Sequence, residues 1–216
     1  MRLRWPAIVF DLDGTLIDTI PLIVASHQHA LSTVLGIEVP VETLRAGLGT
    51  PLMEQMVGFD RERAQDLYDT YRRWNHANTA ALLGTFPGVD DLLIALAGDR
   101  ARLGIATSKS RDAVDLAFRV QPLSVPFDAI VTIEDTTIHK PHGEPVLLAI
   151  DRLGATPDRA VYVGDATHDL QAARAAGCAA VAVTWGAATS TQLAAESPDA
   201  IATTPAQLLT ILREWR

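Results

Sequence analysis

Short, largely apolar runs that alternate with helix-forming segments are the feature that most restricts how this sequence can fold. Such runs occur at 7–10, 103–106, 129–133, 160–163 and 179–183, and each is typical of a strand buried on both faces. Segments with apolar residues at three- and four-residue spacing separate most of them, at 90–96, 112–118, 145–153 and 168–176. This alternation predicts an α/β fold with a Rossmann-like, doubly wound parallel sheet.

One long segment, residues 19–83, interrupts the alternation because it contains only helical patterns. We predict helices at 20–35, at 51–57 with Thr50 as the N-cap, and at 61–75. The first of these is expected to end at Gly36. The segment is therefore interpreted as an all-helical domain inserted directly after the first strand.

This insertion divides the chain into two predicted domains. A catalytic core would comprise residues 1–18 and 84–216, and a helical cap would comprise residues 19–83. The linkers are expected near 16–19 and 83–88, where glycine and proline both permit and limit rotation.

Composition restricts the partners of the chain. Its 216 residues carry a formal net charge of -8, which argues against nucleic acid or an anionic membrane as a partner. No apolar run approaches the length of a membrane span, and the single cysteine, Cys178, precludes an intrachain disulfide. We expect a soluble cytoplasmic protein, monomeric or homodimeric, that acts on a small molecule.

Polar side chains stand at the end of each of the first four predicted strands. In a doubly wound sheet, ligands bind beyond the carboxyl ends of the strands, so these side chains should meet at one edge, which we call the rim. They are Asp11 and Asp13 after the first strand, Thr107 and Ser108 after the second, Lys140 beyond the third, and Asp165 and Asp169 after the fourth.

The residue types at the rim suit phosphoryl transfer. Crowded carboxylates repel one another, and a hard dication such as Mg²⁺ relieves the repulsion. A carboxylate can attack phosphorus to give an acyl phosphate, while Thr107 and Lys140 can neutralise the phosphoryl oxygens. Asp13 is two residues beyond Asp11, so it can reach the same pocket and act as a general acid and base.

Four segments of the sequence resemble the motifs of the haloacid dehalogenase superfamily. They are the run 11–16 (DLDGTL), Thr107-Ser108, Lys140-Pro141 and the run 164–169 (GDATHD). The insertion at 19–83 resembles the helical C1 cap of that superfamily. The resemblance covers most of the chain, and it implies a Rossmann-like core with an inserted cap domain.

The resemblance also implies a role for each rim residue. Asp11 would be the nucleophile and a Mg²⁺ ligand, and Asp13 would be the acid and base that also gives its backbone carbonyl to the metal. Thr107 and Lys140 would hold the phosphoryl group. Asp165 would be a metal ligand, and Asp169 would support the metal site.

Several branches of the superfamily are disfavoured. The dehalogenases lack the second aspartate, which is present here as Asp13. The phosphonate-cleaving branch needs a cap lysine, but the only lysines are Lys109 and Lys140, and neither lies in the cap. A phosphomutase is less favoured for the same reason, and a non-catalytic phosphate-binding protein would normally have lost Asp11 or Lys140.

Among the remaining branches of the superfamily, the sequence resembles the phosphoglycolate phosphatases and the related inorganic pyrophosphatases. The run 47–52 matches the substrate-specificity loop of both, whereas 71–76 and 131–135 resemble the pyrophosphatase side. A small anionic phosphate is therefore predicted as substrate, with pyrophosphate ahead; sugar-phosphate or nucleotide hydrolysis is the alternative. Arg72 and Arg73 either bind the substrate or form a solvent-exposed face of their helix. The substrate-binding candidates are Thr15, Ser108, Gly49, Thr50, Arg45, Arg72, Arg73 and His76.

Overall fold

A parallel sheet forms the centre of the computed structural model, which describes residue 3 and residues 5–214. In chain order, the strands of this described part are β1 (Ala7–Phe10), β2 (Ile17–Asp18), β3 (Gly84–Thr85), β4 (Arg102–Ala106), β5 (Ala129–Val131), β6 (Ala160–Gly164), β7 (Ala179–Val183) and β8 (Ala200–Ala202). The main sheet has the order β5-β4-β1-β6-β7-β8, and all its strands are parallel. The predicted doubly wound sheet is confirmed.

The central position of β1 follows from its sequence. All four of its residues are buried, as expected of an apolar run covered on both faces. Ile8 and Phe10 pack into the core on one side of the sheet, and Ala7 and Val9 pack into the core on the other. The chain builds β4 and β5 on one side of β1 and then crosses to β6 on the other, which leaves a crevice at the carboxyl end of β1.

Helices flank this sheet and also form the insertion. In chain order, those of the described part are α1 (Ile20–Leu35), α2 (Val41–Ala46), α3 (Leu52–Phe59), α4 (Ala64–Leu82), α5 (Val89–Gly98), α6 (Arg111–Val120), α7 (Glu144–Arg152), α8 (Thr167–Ala176), α9 (Ser190–Ala195) and α10 (Pro205–Glu214). None of the helices described for residues 5–214 is both long enough and apolar enough to cross a membrane. The sequence did not predict α2, α9, β8 or α10.

Helices α1–α4 form the cap around a core of their own, with Leu31, Met56 and Leu67 at its centre. The chain enters and leaves the cap through a two-stranded antiparallel ribbon, in which β2 pairs with β3. The ribbon lies within both predicted linkers, so it supports the proposed division of the chain at residues 18/19 and 83/84.

Some predicted boundaries in the cap and core were wrong. Helix α1 ends at Gly36 in the left-handed conformation as predicted, but α3 begins at Leu52 with Pro51, not Thr50, at the N-cap position. Helix α4 starts at Ala64, later than predicted, because the side chain of Asp60 accepts hydrogen bonds from the next backbone N–H groups. Strand β5 ends before Thr132, whose N–H donates to Asp135 at 2.8 Å in a 3₁₀ turn.

Candidate active site

Three buried aspartates meet at the carboxyl ends of β1 and β6. Asp11 directly follows β1, Asp165 follows β6, and Asp169 lies in the first turn of α8. One carboxylate oxygen of each lies within 4.8 Å of the others. Burial raises the pKa of Asp11 well above its usual range and the pKa of Asp165 to about 7; the charge of Asp169 adds to both shifts, whereas Lys140 opposes them. The cluster therefore favours a bound cation.

Lys140 supplies one positive charge to this cluster. Its Nζ donates to Asp11 Oδ1 at 2.8 Å, to Asp169 Oδ1 at 2.7 Å and to the Tyr162 hydroxyl at 3.2 Å. Burial opposes the charged form, but the carboxylates of Asp11 and Asp169 outweigh it and hold the pKa of Lys140 well above its usual value. Tyr162 donates in turn to the Ala106 carbonyl at 2.7 Å, which fixes the ammonium from the strand side.

The donor set at the rim fits Mg²⁺. With their protons removed, the three carboxylates outnumber the single ammonium, and a divalent cation would balance the excess negative charge. The available ligands are oxygens, as Mg²⁺ prefers. Asp11 and Asp165 would hold the ion. Asp169 already accepts hydrogen bonds from Lys140 and, at 3.0 Å, from the N–H of Ala166, so its place suits the supporting role.

The carboxylate of Asp165 is held by two loops. Thr15 Oγ1 donates to its Oδ1 at 2.7 Å, and the N–H of Ala187 donates to its Oδ2 at 2.7 Å. Gly14 has a φ of 82°, and a Cβ there would lie 2.3 Å from Asp165 Oδ2, so only glycine fits. Thr15 was predicted to bind substrate, and the structure places its hydroxyl on this carboxylate.

The three residues that follow β4 face three parts of the site. Thr107, which is buried, accepts a hydrogen bond at its Oγ1 from the N–H of Lys109 at 3.2 Å. Ser108 Oγ donates to the carbonyl of Gly49 in the cap at 3.0 Å. Lys109 Nζ lies 2.8 Å and 3.0 Å from the two carboxylate oxygens of Asp13. One short segment thus connects the predicted phosphoryl site, the cap and the predicted acid and base.

A cavity of about 350 Å³ lies between the rim and the cap. Gly49 and Thr50 line it, as does Asp11 at its core side. Gly49 has a φ of 94°, and a Cβ there would lie 3.3 Å from the Cβ of Ala166, so glycine allows the cap loop to approach the core closely. The cap side of the cavity carries polar side chains, such as Gln55 and Asn75, and a group of aliphatic ones, namely Ile20, Ile23, Leu48, Leu52 and Met53.

Two of the predicted cap cations line this cavity. Arg72 and His76 both project from α4. The guanidinium of Arg72 forms an ion pair with Asp112 of α6 and lies 5.7 Å from the centre of the Tyr68 ring. Partial burial, and next the charge of Arg72, lower the pKa of His76.

The other two predicted cations do not line the cavity in the part of the chain that the structure describes. Arg45 reaches from α2 to the core, where its Nη2 donates to the carbonyl of Gly186 at 3.0 Å. Arg73 donates to Thr70 Oγ1 at 3.3 Å on its own helix and, together with Arg72 and His76, lines a second, smaller surface depression. Of these two adjacent arginines, Arg72 also lines the main cavity, whereas Arg73 does not.

The sequence did not predict a functional place for Lys109, Tyr162 or the loop that contains Ala187. A signal existed for Lys109, because it follows Thr107 by two residues, just as Asp13 follows Asp11. For Tyr162 the only signal is a polar tip within an apolar strand. No local sequence pattern predicts the role of Ala187, because it contributes only a backbone N–H group, which donates to Asp165.

Comparison with known proteins gives the family. The sequence profile described as haloacid dehalogenase-like hydrolase matches residues 8–183. The chain belongs to the haloacid dehalogenase-like hydrolase family. It is therefore a phosphatase of this family, and the resemblance inferred from the four motifs is confirmed.

Individual relatives of this haloacid dehalogenase-like hydrolase cover nearly its whole length. Pyrophosphatase PpaX from Bacillus velezensis is 37% identical over 91% of both chains. A haloacid dehalogenase-like family hydrolase from Streptococcus pneumoniae superposes with a TM-score of 0.85 at 28% identity, over 97% of this chain and 99% of that one. A predicted phosphoglycolate phosphatase from Haemophilus somnus gives a TM-score of 0.83 at 24% identity, over 98% and 99%, which concerns the fold alone.

Proposed function

We propose that this phosphatase is a Mg²⁺-dependent inorganic pyrophosphatase that works through an aspartyl-phosphate intermediate on Asp11. The observation that carries the proposal is the position of Asp11 between Lys140 and two further carboxylates, on the wall of a cavity closed by the cap. Two other findings support pyrophosphate as the substrate. The cavity is lined by cations of both domains, Lys109 and Arg72, and the relative from Bacillus velezensis is named a pyrophosphatase.

The arrangement suits two successive displacements at phosphorus. A carboxylate oxygen of Asp11 bonds to phosphorus, the bond to the bridging oxygen breaks, and the leaving group takes the electron pair of that bond together with a proton from Asp13. Water then bonds to the same phosphorus, gives a proton to Asp13, and the Asp11 carboxylate is released. Thr107 and Lys140 stay beside the phosphoryl oxygens during both steps. Bound Mg²⁺ would neutralise the charge of these oxygens and of the carboxylates.

A second candidate is the hydrolysis of a small phosphate monoester with an organic leaving group. The observation that favours it is the aliphatic part of the cap wall, to which Ile20, Ile23 and Met53 contribute. Pyrophosphate has no apolar atoms to pack against these aliphatic side chains, whereas the carbon skeleton of an organic leaving group would bury them. Phosphoglycolate, sugar phosphates and nucleotides belong to this class.

A substrate panel tests both candidates. Steady-state phosphate release would be measured with pyrophosphate, phosphoglycolate, glucose 6-phosphate, a nucleoside monophosphate and p-nitrophenyl phosphate, each with and without Mg²⁺. We expect the highest kcat/KM for pyrophosphate, and no turnover in the presence of a chelator. A clear preference for an organic phosphate would replace the first candidate by the second.

A further inference from the structure

The contact between Lys109 and Asp13 carries a further inference, which rests on the proposed function. Lys109 Nζ lies within 3.0 Å of both carboxylate oxygens of Asp13, and both side chains are largely buried, with 12% and 22% exposed. The backbone of Lys109 is fixed at both ends, because its N–H donates to Thr107 Oγ1 and its carbonyl accepts from the N–H of Ile133. Its ammonium is therefore held at the cavity wall.

The ammonium of Lys109 is placed near the site that the leaving group would occupy. Asp13 is the group expected to contact the bridging oxygen between the transferred phosphoryl group and the leaving group. An ammonium in contact with both oxygens of Asp13 would then lie within about two hydrogen-bond lengths, or about 6 Å, of that bridging oxygen. The two contacts with Asp13 use two of the three N–H donors of Lys109, so one donor is available to an oxygen of the leaving group.

The other cations that line the cavity are less suited to this task. The charge of Arg72 is compensated by its ion pair with Asp112. Lys140 lies among the buried carboxylates on the nucleophile side. The partner of Lys109, in contrast, is Asp13, which is itself one of the reacting groups, so the ammonium can be shared with substrate during turnover.

We propose that Lys109 binds the leaving phosphate and thereby determines specificity for leaving groups that carry negative charge. When the bond between phosphorus and the bridging oxygen breaks, the electron pair remains on the leaving phosphate, and the ammonium of Lys109 neutralises the charge that develops there. Lys109 keeps its proton throughout. A leaving group with no further anionic oxygens gains little from this ammonium, although it still uses Lys140, Thr107 and Asp11.

The test compares two substrates whose leaving oxygens are both weakly basic but differ in charge, namely pyrophosphate and p-nitrophenyl phosphate. In Lys109→Met we expect kcat/KM for pyrophosphate to fall about 100-fold, as for loss of one charge-stabilising donor, and kcat/KM for p-nitrophenyl phosphate to fall less than about fivefold. Lys109→Arg should restore most of the activity on pyrophosphate. Arg119→Met, at an exposed position of α6, controls for the loss of one positive charge.

Equal losses on both substrates would overturn the proposal, since they would show that Lys109 only orients Asp13. Unchanged kinetics on both would overturn it as well. If the wild-type enzyme proved unable to hydrolyse pyrophosphate, the proposed function would fail, and inhibition of p-nitrophenyl phosphate turnover by imidodiphosphate would still test Lys109. An inhibition constant at least about tenfold higher in Lys109→Met and in Lys109→Gln than in wild type supports the proposal, and equal constants refute it.

Discussion

The rim and the cap form opposite walls of one cavity, yet they are built in different ways. At the rim, the charged side chains other than that of Asp13 are buried, and they are held by named partners: Lys140 by Asp11 and Asp169, and Asp165 by Thr15 and Ala187. In the cap wall, aliphatic side chains alternate with polar ones, and the cation Arg72 is partly exposed. A fixed polar cluster suits a reaction whose phosphoryl group never changes, whereas an adaptable wall suits selection among leaving groups.

The difference also teaches how the two domains cooperate. They meet through few directed contacts, which include Ser108 to Gly49 and Arg45 to Gly186. Such contacts can form and break while each domain keeps its own core, as expected of a cap that opens to admit substrate and closes to exclude water. We therefore expect changes at the rim to abolish turnover and changes in the cap to alter substrate preference.

The largest expected effect concerns the nucleophile. In Asp11→Asn the amide cannot attack phosphorus, so kcat should fall by about 10⁴-fold or more with each substrate of the panel. The melting temperature should not fall greatly, because Lys140 keeps its contact with Asp169. Steady-state phosphate release and thermal unfolding measure the two properties. Substantial residual activity in the purified variant would exclude the covalent mechanism.

Removal of the metal should have a nearly equal effect. Turnover is expected to disappear in chelator and to return with Mg²⁺, because the net negative charge of the buried carboxylates otherwise repels the substrate phosphate. Ca²⁺ should inhibit, since its larger and looser coordination alters the geometry of attack. Full turnover in chelator would contradict the proposed cofactor.

The effect of Mg²⁺ on stability should depend on pH. The pKa of Asp165 rises from an ordinary value of 3.8 to about 7 in the folded, metal-free protein. The folded state then binds this proton more tightly than the unfolded state, so metal-free stability decreases as pH rises from about 4 through about 7. Mg²⁺ removes this penalty. The increase in Tm on adding Mg²⁺ should therefore be larger at about pH 8 than at about pH 5; equal increases would contradict the carboxylate site.

The same contrast between rim and cap decides what the sequence could predict. The rim residues, such as Asp11 and Asp165, follow the ends of strands. Strand ends can be predicted from the sequence because buried parallel strands give continuous apolar runs. Cap residues lie on helices whose rotation depends on packing, so the sequence alone could not separate Arg72 from Arg73. The direction of Arg45 depends on the loop at Gly186, which lies 141 residues away in sequence. Contacts of this kind arise only from the tertiary fold.

The neighbouring arginines of α4 provide a matched pair for the cap. Arg72→Ala should raise KM for pyrophosphate by about tenfold, because it removes a charged donor from the cavity, and should raise KM for p-nitrophenyl phosphate less. Arg73→Ala should change neither constant by more than about twofold, since this side chain lies outside the cavity. Equal effects of the two substitutions would mean that both arginines only solvate the helix.

The smallest expected effect distinguishes the sequence interpretation of Arg45 from its place in the structure. Its guanidinium donates to the carbonyl of Gly186, and the next N–H group, that of Ala187, donates to Asp165. Arg45 would then stabilise the closed cap by about 1 kcal/mol without touching substrate. Arg45→Ala should raise KM about fivefold with pyrophosphate and p-nitrophenyl phosphate alike, whereas Arg63→Ala, a cap arginine paired with Asp60, should leave both unchanged. An effect confined to pyrophosphate would show instead that Arg45 binds the leaving phosphate, as the sequence had predicted.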